Sequence, residues 1–371
     1  MDTIKNSPND DAQNLPEVDY AKLKGQQRDF FYKLWPILKK IRAGGPNKPD
    51  PLCINIDGTA GTGKSFLIWC ITHALKDLFE DELQGCDPVV RLAPTGVAAF
   101  GICGWTINYG LMIPVKEGKD FNQLGQNSLS CLQTQWKNAK LLIIDKKSMV
   151  GRTQMGRADR RLRQVIPSEA TKIFGGIPTL IFGDFAQLPP VGDTPLYSDK
   201  LSSACTSLSQ EGRMVFEQFN QSITLDTIFC QAGEDDGQIA FRDALMHLRT
   251  YSTTQKDYDL LATRFWDVLT PAERLTFKEA IHLLPTRVAV LEFNCRHLSN
   301  IGQPVIRCKA KHNHSEAKKA SDDDADGLMK EVLLAEGAKV MLTRNLWTSK
   351  GNVVYIVLIN NVLRTCCSRS C

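Results

Sequence analysis

A glycine-rich motif at residues 58–65 constrains the fold of this chain more than any other feature of its sequence. The motif reads G-T-A-G-T-G-K-S and fits the pattern G-x-x-x-x-G-K-[ST] at every defined position. An apolar run at residues 52–56 precedes it, and an amphipathic segment at residues 66–78 follows it. Because a strand, this loop and a helix in that order form a phosphate site, we predict a phosphate-binding loop rather than a ligand-free glycine turn.

The residue types of this loop suit a nucleoside triphosphate. Glycines let backbone N–H groups curl around phosphates, and the helix N-terminus adds positive potential. Lys64 is expected to reach the β- and γ-phosphates, and the Ser65 hydroxyl is expected to bind Mg²⁺. The predicted cofactors are therefore ATP and Mg²⁺. The predicted nucleotide contacts in the loop are Gly58, Thr59, Ala60, Gly61, Thr62, Gly63, Lys64 and Ser65.

Further apolar patterns predict the surrounding fold. Residues 22–42 have the spacing of an amphipathic helix, and residues 89–92, 141–144 and 179–182 are short strands. Strands that alternate with helices predict an α/β fold with a parallel, doubly wound sheet. Asp145 follows the strand at 141–144, and a carboxylate there, beside the loop strand, is a candidate ligand of Mg²⁺. The alternative role for Asp145 is to cap the next turn.

Composition and charge narrow the class of protein further. The net charge of +4 is compatible with a nucleic-acid partner without requiring one. The 12 cysteines form no C-x-x-C pair, and Cys295 with His297 is read as isolated residues rather than a metal site. The longest apolar run, 353–359, is too short for a bilayer span of about 20 residues. We expect an intracellular protein without a membrane partner, because the chain shows no secretory signal.

Several segments, taken in order, carry a family resemblance. They are L-K-G-Q-Q-R at 23–28, A-P-T-G-V-A-A at 93–99, G-W-T-I-N at 104–108, F-G-G at 174–176, G-D-F-A-Q-L-P-P-V at 183–191, L-P-T at 284–286 and G-A-K-V-M-L at 337–342. With the loop at 58–65 they resemble the Pif-type (petite-integration-frequency) DNA helicases of superfamily one, including the helicase portions of Helitron-like transposons. The order of the segments is specific to this family, whereas each segment alone could equally be an ordinary turn or loop.

The resemblance implies a domain arrangement and a set of partners. It implies a RecA-like domain at 21–225 and an incomplete second RecA-like domain at 226–371, with a disordered N-terminus at 1–20 and a charged insertion at 309–327. ATP would lie between the domains, and single-stranded DNA would cross both, so that single-stranded and duplex DNA are the expected partners. A monomer in the nucleus is the expected state, and protein partners remain undefined.

The resemblance also assigns roles to particular residues. Gln27 would read adenine, and Gln187 would sense the γ-phosphate, which gives Lys64, Asp145 and Gln187 as the expected catalytic residues. The DNA candidates are Thr95, Trp105 and Thr106. Trp105 equally fits the hydrophobic core, and the choice stays open. The sequence also has a basic helical patch, for most of which we favour a solvated face. It consists of Arg157, Arg160, Arg161 and Arg163.

Three departures from the family pattern bear on activity. Lys146 stands where the family has the glutamate that polarises the attacking water, and Cys230 stands where it has an arginine that donates to the γ-phosphate. Residues 351–355 match the next family segment only weakly, and later motifs are missing, so we expect a truncated second domain. Hydrolysis should therefore be slowed severely, while nucleotide binding survives.

Three functions are compatible with this pattern. The first is an ATP-dependent 5′-to-3′ DNA helicase in repair, recombination or telomere maintenance, which the resemblance implies. The second is a module that binds ATP and single-stranded DNA without turnover. The third is a transposon-derived relic. The altered residues 146 and 230 favour the second and third on chemical grounds.

Overall fold

The structure is a computed structural model. It describes residues 15–43, 51–114, 121–199, 206–230, 233, 235–277, 280–312, 314–319, 329–341 and 356–358. Residues 1–14 of the predicted disordered N-terminus (1–20), residues 313 and 320–327 of the charged insertion (309–327), and the segment 351–355 lie outside these residues. The chain divides into two compact units, Met1–Ser252 and Thr253–Cys371. The assignment of 21–225 and 226–371 as two domains stays a prediction.

The first unit is built on a parallel sheet of six strands. In the order in which they lie across the sheet, the strands are β3 (Trp105–Thr106), β2 (Val89–Ala93), β4 (Leu141–Ile144), β5 (Thr179–Gly183), β1 (Cys53–Gly58) and β6 (Gln221–Leu225). Neighbouring strands pair in parallel throughout this order. Because β1, β5 and β4 are neighbours, the segments that follow them meet at one edge of the sheet. The predicted α/β fold is thus confirmed.

Helices cover both faces of this sheet. The helices of the first unit are α1 (Gly25–Ala43), α2 (Lys64–Leu83), α3 (Gly96–Gly101), α4 (Ile107–Gly110), α5 (Gln126–Trp136), α6 (Arg152–Val165), α7 (Ser207–Glu217) and α8 (Asp236–Arg249). The core on one face contains apolar residues of α1 and α2, and the core on the other face contains those of α5, α6 and α7. The sheet is therefore doubly wound, as the sequence predicts.

Local sequence explains why these elements form where they do. Every residue of β4 and β5 is buried, as expected for central parallel strands with continuous apolar runs. In α1 the buried residues Phe30, Leu34 and Leu38 recur at helical spacing and pack toward α2. The predicted helices at 22–42 and 66–78 and all four predicted strands are confirmed, with small shifts at their ends.

A buried lysine ties the strand before the loop to the segment after β4. The Lys147 side chain is 0% exposed, and its ammonium group donates to the side chains of Asn55 and Asp57. It also lies over the ring of Phe185, 4.7 Å from the ring centroid. Burial lowers the pKa of Lys147, and the Asp57 carboxylate opposes that shift. Lys147 also packs closely against Gly183, where a Cβ would collide with the backbone and side chain of Lys147.

The second unit contains helices and two small sheets. Its described helices are α9 (Gln255–Ala262), α10 (Pro271–Thr276) and α11 (Arg287–Asn300), and its strands are β7 (Val305–Lys309), β8 (Glu331–Ala335), β9 (Lys339–Met341) and β10 (Ile356–Leu358). The pairs β7–β8 and β9–β10 are antiparallel. Ala335 and Ala338 are buried there against Leu298, Ile301 and Val340. No helix among the described residues has the length and apolarity needed to cross a membrane.

The Lys147–Asp57 pair yields a test of what holds the sheet together. We expect Asp57→Asn to destabilise the protein by about 3 kcal/mol, because it leaves the buried ammonium without its counter-charge. Asp81→Asn is the matched control, because that carboxylate pairs with Arg42 but is 93% exposed. Urea unfolding measures both.

The double variant Asp57→Asn with Lys147→Met should recover most of the loss, because it removes both charges from the interior. If Asp57→Asn unfolds at the same urea concentration as the Asp81→Asn control, the ion pair does not stabilise this unit.

Candidate nucleotide-binding site

The glycine-rich loop lies between β1 and α2, at the junction where the sequence predicts it. Strand β1 ends at Gly58 and helix α2 begins at Lys64. Gly61 and Gly63 have φ values of 81° and 70°, a left-handed conformation that L side chains rarely adopt. The loop closes on itself through Thr62, whose hydroxyl donates to the Thr59 carbonyl at 2.9 Å. This geometry is the one in which backbone amides and a helix N-terminus receive an anion.

The ammonium group of Lys64 lies within this loop. Its Nζ donates to the carbonyl oxygens of Gly58 at 2.7 Å and Thr59 at 2.8 Å. Burial lowers the pKa of Lys64, and the nearby charge of Lys146 lowers it further, while Asp145 opposes both effects. A negatively charged oxygen is a stronger acceptor than these neutral carbonyls. The loop therefore has the shape and the cation that a phosphate group requires.

Gln27 contacts the loop directly from α1. Its side chain is only 3% exposed, and its Nε2 donates to the Thr62 carbonyl at 2.8 Å. The amide nitrogen lies so close to Gly63 that a Cβ at that position would collide with it. Gln27 thus fixes the conformation of the loop. Its predicted contact with adenine stays a prediction.

Asp145 follows β4 at the same sheet edge. The side chain is buried, and its Oδ1 has no hydrogen-bond partner among the residues that the structure describes. Burial raises the pKa of Asp145, and the Lys146 backbone amide and the charges of Lys146 and Lys64 oppose that shift. An ionised carboxylate with an unpaired buried oxygen fits a ligand of Mg²⁺ or of its water shell. The first turn of α2 contains Ser65, the other predicted ligand.

Lys146 and Gln187 contact each other across this edge. Lys146 adopts a left-handed backbone conformation, with φ 57° and ψ 45°, directly after Asp145. Its Nζ donates to Oε1 of Gln187 at 3.3 Å. The residue in the expected place of a catalytic glutamate therefore bonds to the residue expected to sense the γ-phosphate. A lysine ammonium group donates hydrogen bonds and offers no acceptor for a proton.

An ion pair holds the segment that carries Gln187. Arg249, the last residue of α8, donates to both carboxylate oxygens of Asp184, at 2.5 Å and 2.6 Å. Burial raises the pKa of Asp184, but the Arg249 hydrogen bonds and charge outweigh that effect and leave the pKa below its ordinary value. The backbone N–H of Gln187 in turn donates to the Asp184 carbonyl at 2.9 Å. Sequence reasoning missed Arg249, because no local pattern links it to a carboxylate 65 positions earlier.

The segment after β6 lies against the glycine-rich loop. The Phe229 N–H donates to the Gly61 carbonyl at 2.8 Å. A Cβ built on Gly61 would lie 3.1 Å from the Cβ of Cys230. Residue 230 is thus beside the loop, where an arginine would reach phosphate, but the Cys230 side chain is short and has no positive charge.

The three DNA candidates share one region next to β3. Thr95 and Thr106 each cap a short helix, accepting from the N–H groups of Ala98 and Tyr109 at 3.3 Å. Trp105 is partly buried and packs against the hydrophobic core, which was one of the two alternatives left open by the sequence. Its ring also meets that of Tyr109 edge to face at 6.0 Å, and Tyr109 is 58% exposed. Sequence reasoning missed Tyr109 as the exposed ring of this pair.

The basic stretch in α6 is not the solvated face that we favoured. Arg161 is only 1% exposed, and its guanidinium lies 4.7 Å from the ring centroid of Phe121. Arg160 forms two hydrogen bonds with the Glu211 carboxylate of α7, at 2.6 Å and 2.5 Å. These arginines join α6 to its neighbours, because the close helix packing places acceptors and a ring beside them.

Comparison with known proteins identifies the family. A family model described as PIF1-like helicase matches residues 37–257, which is more than half of the chain. The chain belongs to the PIF1-like helicase family. The resemblance stated from the sequence motifs is therefore confirmed.

Relatives and solved structures of PIF1-like helicases agree with this assignment. The chain is similar to the ATP-dependent DNA helicase RRM3 of Saccharomyces cerevisiae, with 28% identity over 297 residues, 78% of this chain and 37% of that protein. It also resembles the crystal structure of Pif1 helicase from Candida albicans, with a TM-score of 0.58, 24% identity, and coverage of 87% of this chain and 66% of that one.

A second structure, Pif1 helicase from Bacteroides in complex with ADP-AlF3 and single-stranded DNA, gives a TM-score of 0.52. Its identity is 22%, with coverage of 86% of this chain and 65% of that one. At these identities the structural matches establish the fold alone. The chain spans only about a third of the length of RRM3.

The buried Oδ1 of Asp145, which has no hydrogen-bond partner within the described part of the chain, predicts a stability effect. We expect Asp145→Asn to stabilise the protein by about 1 kcal/mol, because functional groups held in unfavourable surroundings commonly cost this much. The raised pKa of Asp145 gives the sign of the pH dependence. The cost of burying the charged carboxylate is fully present above that raised pKa, and it disappears as the pH falls below it. The gain should therefore shrink in acid. Urea unfolding at neutral and acidic pH measures it.

Asp159→Asn is the matched control. Asp159 is also buried with a raised pKa, but its two oxygens accept from the Phe174 N–H and from Arg163, both at 2.7 Å. This variant should lose about 2 kcal/mol. A loss of stability in Asp145→Asn equal to that of the control would show that Asp145 is satisfied in the folded protein.

Proposed function

We propose that this chain carries the nucleotide-binding motor unit of an ATP-dependent DNA helicase, with ATP and Mg²⁺ as its ligands. The observation that carries the proposal is the meeting of Lys64, Asp145 and Gln187 with a glycine-rich loop at one sheet edge. Its relative RRM3 is named an ATP-dependent DNA helicase, and the Bacteroides structure is described with ADP-AlF3 and single-stranded DNA. Both support a nucleotide as the proposed ligand.

Each residue of the site then has a role that follows from its chemistry. The loop amides and Lys64 bind the phosphates, since they combine N–H donors with a cation. Ser65 and Asp145 hold the metal ion through oxygen atoms. Gln27 keeps the loop in its binding conformation through its bond to the Thr62 carbonyl. A bound Mg²⁺ would neutralise charge that builds up on the phosphates during transfer.

Hydrolysis requires two further groups, and this chain has unsuitable residues in their places. Water must be oriented and deprotonated by an acceptor, but Lys146 is a donor and its ammonium bonds to Gln187. Negative charge on the transferred phosphate must be neutralised, but Cys230, which lies beside Gly61, has no positive charge. We propose that turnover is severely slowed while binding is retained.

The proposal of a DNA partner depends on the residues in the region beside β3. Single strands bind sequence-tolerantly by stacking bases on exposed rings and by polar contacts to the backbone. Tyr109 supplies an exposed ring next to Trp105, and Thr95 and Thr106 supply hydroxyl groups. We propose that single-stranded DNA contacts this region, and that the chain acts as a monomer in the nucleus. A 5′-to-3′ polarity and roles in repair, recombination or telomere maintenance are part of the same proposal.

A second candidate function is an ATP- and single-stranded-DNA-binding module that does not hydrolyse ATP. The observation that favours it is the Lys146–Gln187 hydrogen bond, which ties the expected γ-phosphate sensor to a cation. Such a module would switch its affinity for DNA on binding ATP, without a turnover cycle. The rate of hydrolysis distinguishes it from a working motor.

Nucleotide binding tests the site itself. Lys64→Ala should abolish binding of a fluorescent ATP analogue, a loss of at least ~10²-fold, because it removes the only cation within the loop's own sequence. Lys137→Ala, an exposed lysine at the end of α5, is the control and should bind as the unmodified chain does. Retained affinity in Lys64→Ala would refute the phosphate-binding assignment.

DNA-stimulated ATPase activity tests the motor and the module against each other. The unmodified chain should turn over near background with oligo-dT, whereas Lys146→Glu with Cys230→Arg should gain at least ~10²-fold, because it restores an acceptor and a phosphate-reaching cation. Tyr109→Ala in the double variant should lower the stimulation by DNA. Turnover of the unmodified chain at an ordinary enzymatic rate of about 10 s⁻¹ would contradict the assigned effects of Lys146 and Cys230.

A further inference from the structure

The charge balance around the glycine-rich loop is unusual at residue 146. Lys146 lies directly after the buried Asp145, and its ammonium is held by Gln187 at 3.3 Å. It is also close enough to Lys64 for the two positive charges to oppose each other. Two ammonium groups therefore lie near each other at this edge of the sheet, and one carboxylate there, Asp145, partly balances them.

Other charges at this edge are already neutralised. Asp184 accepts two hydrogen bonds from Arg249, and the charges of Asp184 and Arg249 act on Lys64 in opposite directions. Asp57 is likewise engaged by the buried Lys147. Among the residues that the structure describes, the edge thus has an excess of positive charge that an anion would relieve.

A glutamate at 146 would create the opposite balance. Two adjacent carboxylates, at 145 and 146, would face one ammonium, and a triphosphate could approach only with a divalent cation between them. Replacement of that glutamate by lysine changes the local charge by two units. The same exchange adds a donor for phosphate oxygens and repels a second cation.

We propose that the ammonium group of Lys146 takes over part of the charge neutralisation that Mg²⁺ normally provides, so that this chain binds metal-free ATP almost as tightly as MgATP. The inference rests on the proposed nucleotide site and specifies its ligand. The preferred ligand class is a nucleoside triphosphate whose phosphates contact Lys64 and Lys146 together. Asp145 would then need no metal ion in order to tolerate the bound anion.

The test is equilibrium binding of ATP by calorimetry, in excess Mg²⁺ and in excess EDTA. The unmodified chain should lose less than ~3-fold in affinity on removal of the metal, and Lys146→Glu should lose at least ~10-fold. Lys146→Gln, which removes the charge without adding a carboxylate, should lie between the two. Lys137→Glu makes the same charge change at an exposed residue and should match the unmodified chain.

The outcomes separate this inference from the function on which it rests. If the unmodified chain and Lys146→Glu lose affinity by the same factor in EDTA, the inference is wrong and the nucleotide site stands. If the folded, unmodified chain binds ATP in neither buffer, the nucleotide site itself is wrong. Thermal unfolding of each variant verifies that it is folded.

Discussion

The candidate site depends on the adjacency of three parallel strands, β1, β5 and β4. Strand β5 lies between β1 and β4, and parallel strands place their carboxyl ends at one edge. The glycine-rich loop, the Asp145–Lys146 pair and the segment with Gln187 each follow one of these strands. Residues separated by more than a hundred positions in sequence therefore lie at one edge of the sheet, and their positions depend on the register of the sheet rather than on local loops.

Charges in the first unit are distributed in a way that separates stability from function. Two buried cations of the fold have acidic partners: Arg91 donates to Asp87 at 2.8 Å, and Lys147 donates to Asp57. Asp145 instead has a buried oxygen without a hydrogen-bond partner in the described ranges of the chain, which opposes folding. Since a chain under no constraint would gain stability by losing this carboxylate, its presence fits a ligand-binding role better than a structural one.

The sequence predicts what depends on local order and misses what depends on distant pairing. The strands, the loop at 58–65 and the position of Asp145 follow from periodicity and motif, because they are properties of short segments. The bond between Arg249 and Asp184 does not, since each residue alone resembles an ordinary surface charge. The buried Arg161 is a second example. Helical spacing groups it with its charged neighbours, and only the packing of α6 decides which of these arginines lose contact with water.

The changes at residues 146 and 230 have a common physical consequence. They lie on different segments, after β4 and after β6, yet both border the same loop. In the proposed function, the groups that would bind a triphosphate in its ground state, the loop amides and Lys64, are intact. The proposal places Lys146 and Cys230 where groups would act only as the transition state forms. Because catalysis depends on interactions that strengthen in the transition state, such a pattern lowers turnover without a matching loss of affinity. If the proposed site holds, Lys146 has a further effect, since a cation beside the phosphates would stabilise the bound ground state and so raise the barrier that hydrolysis must cross.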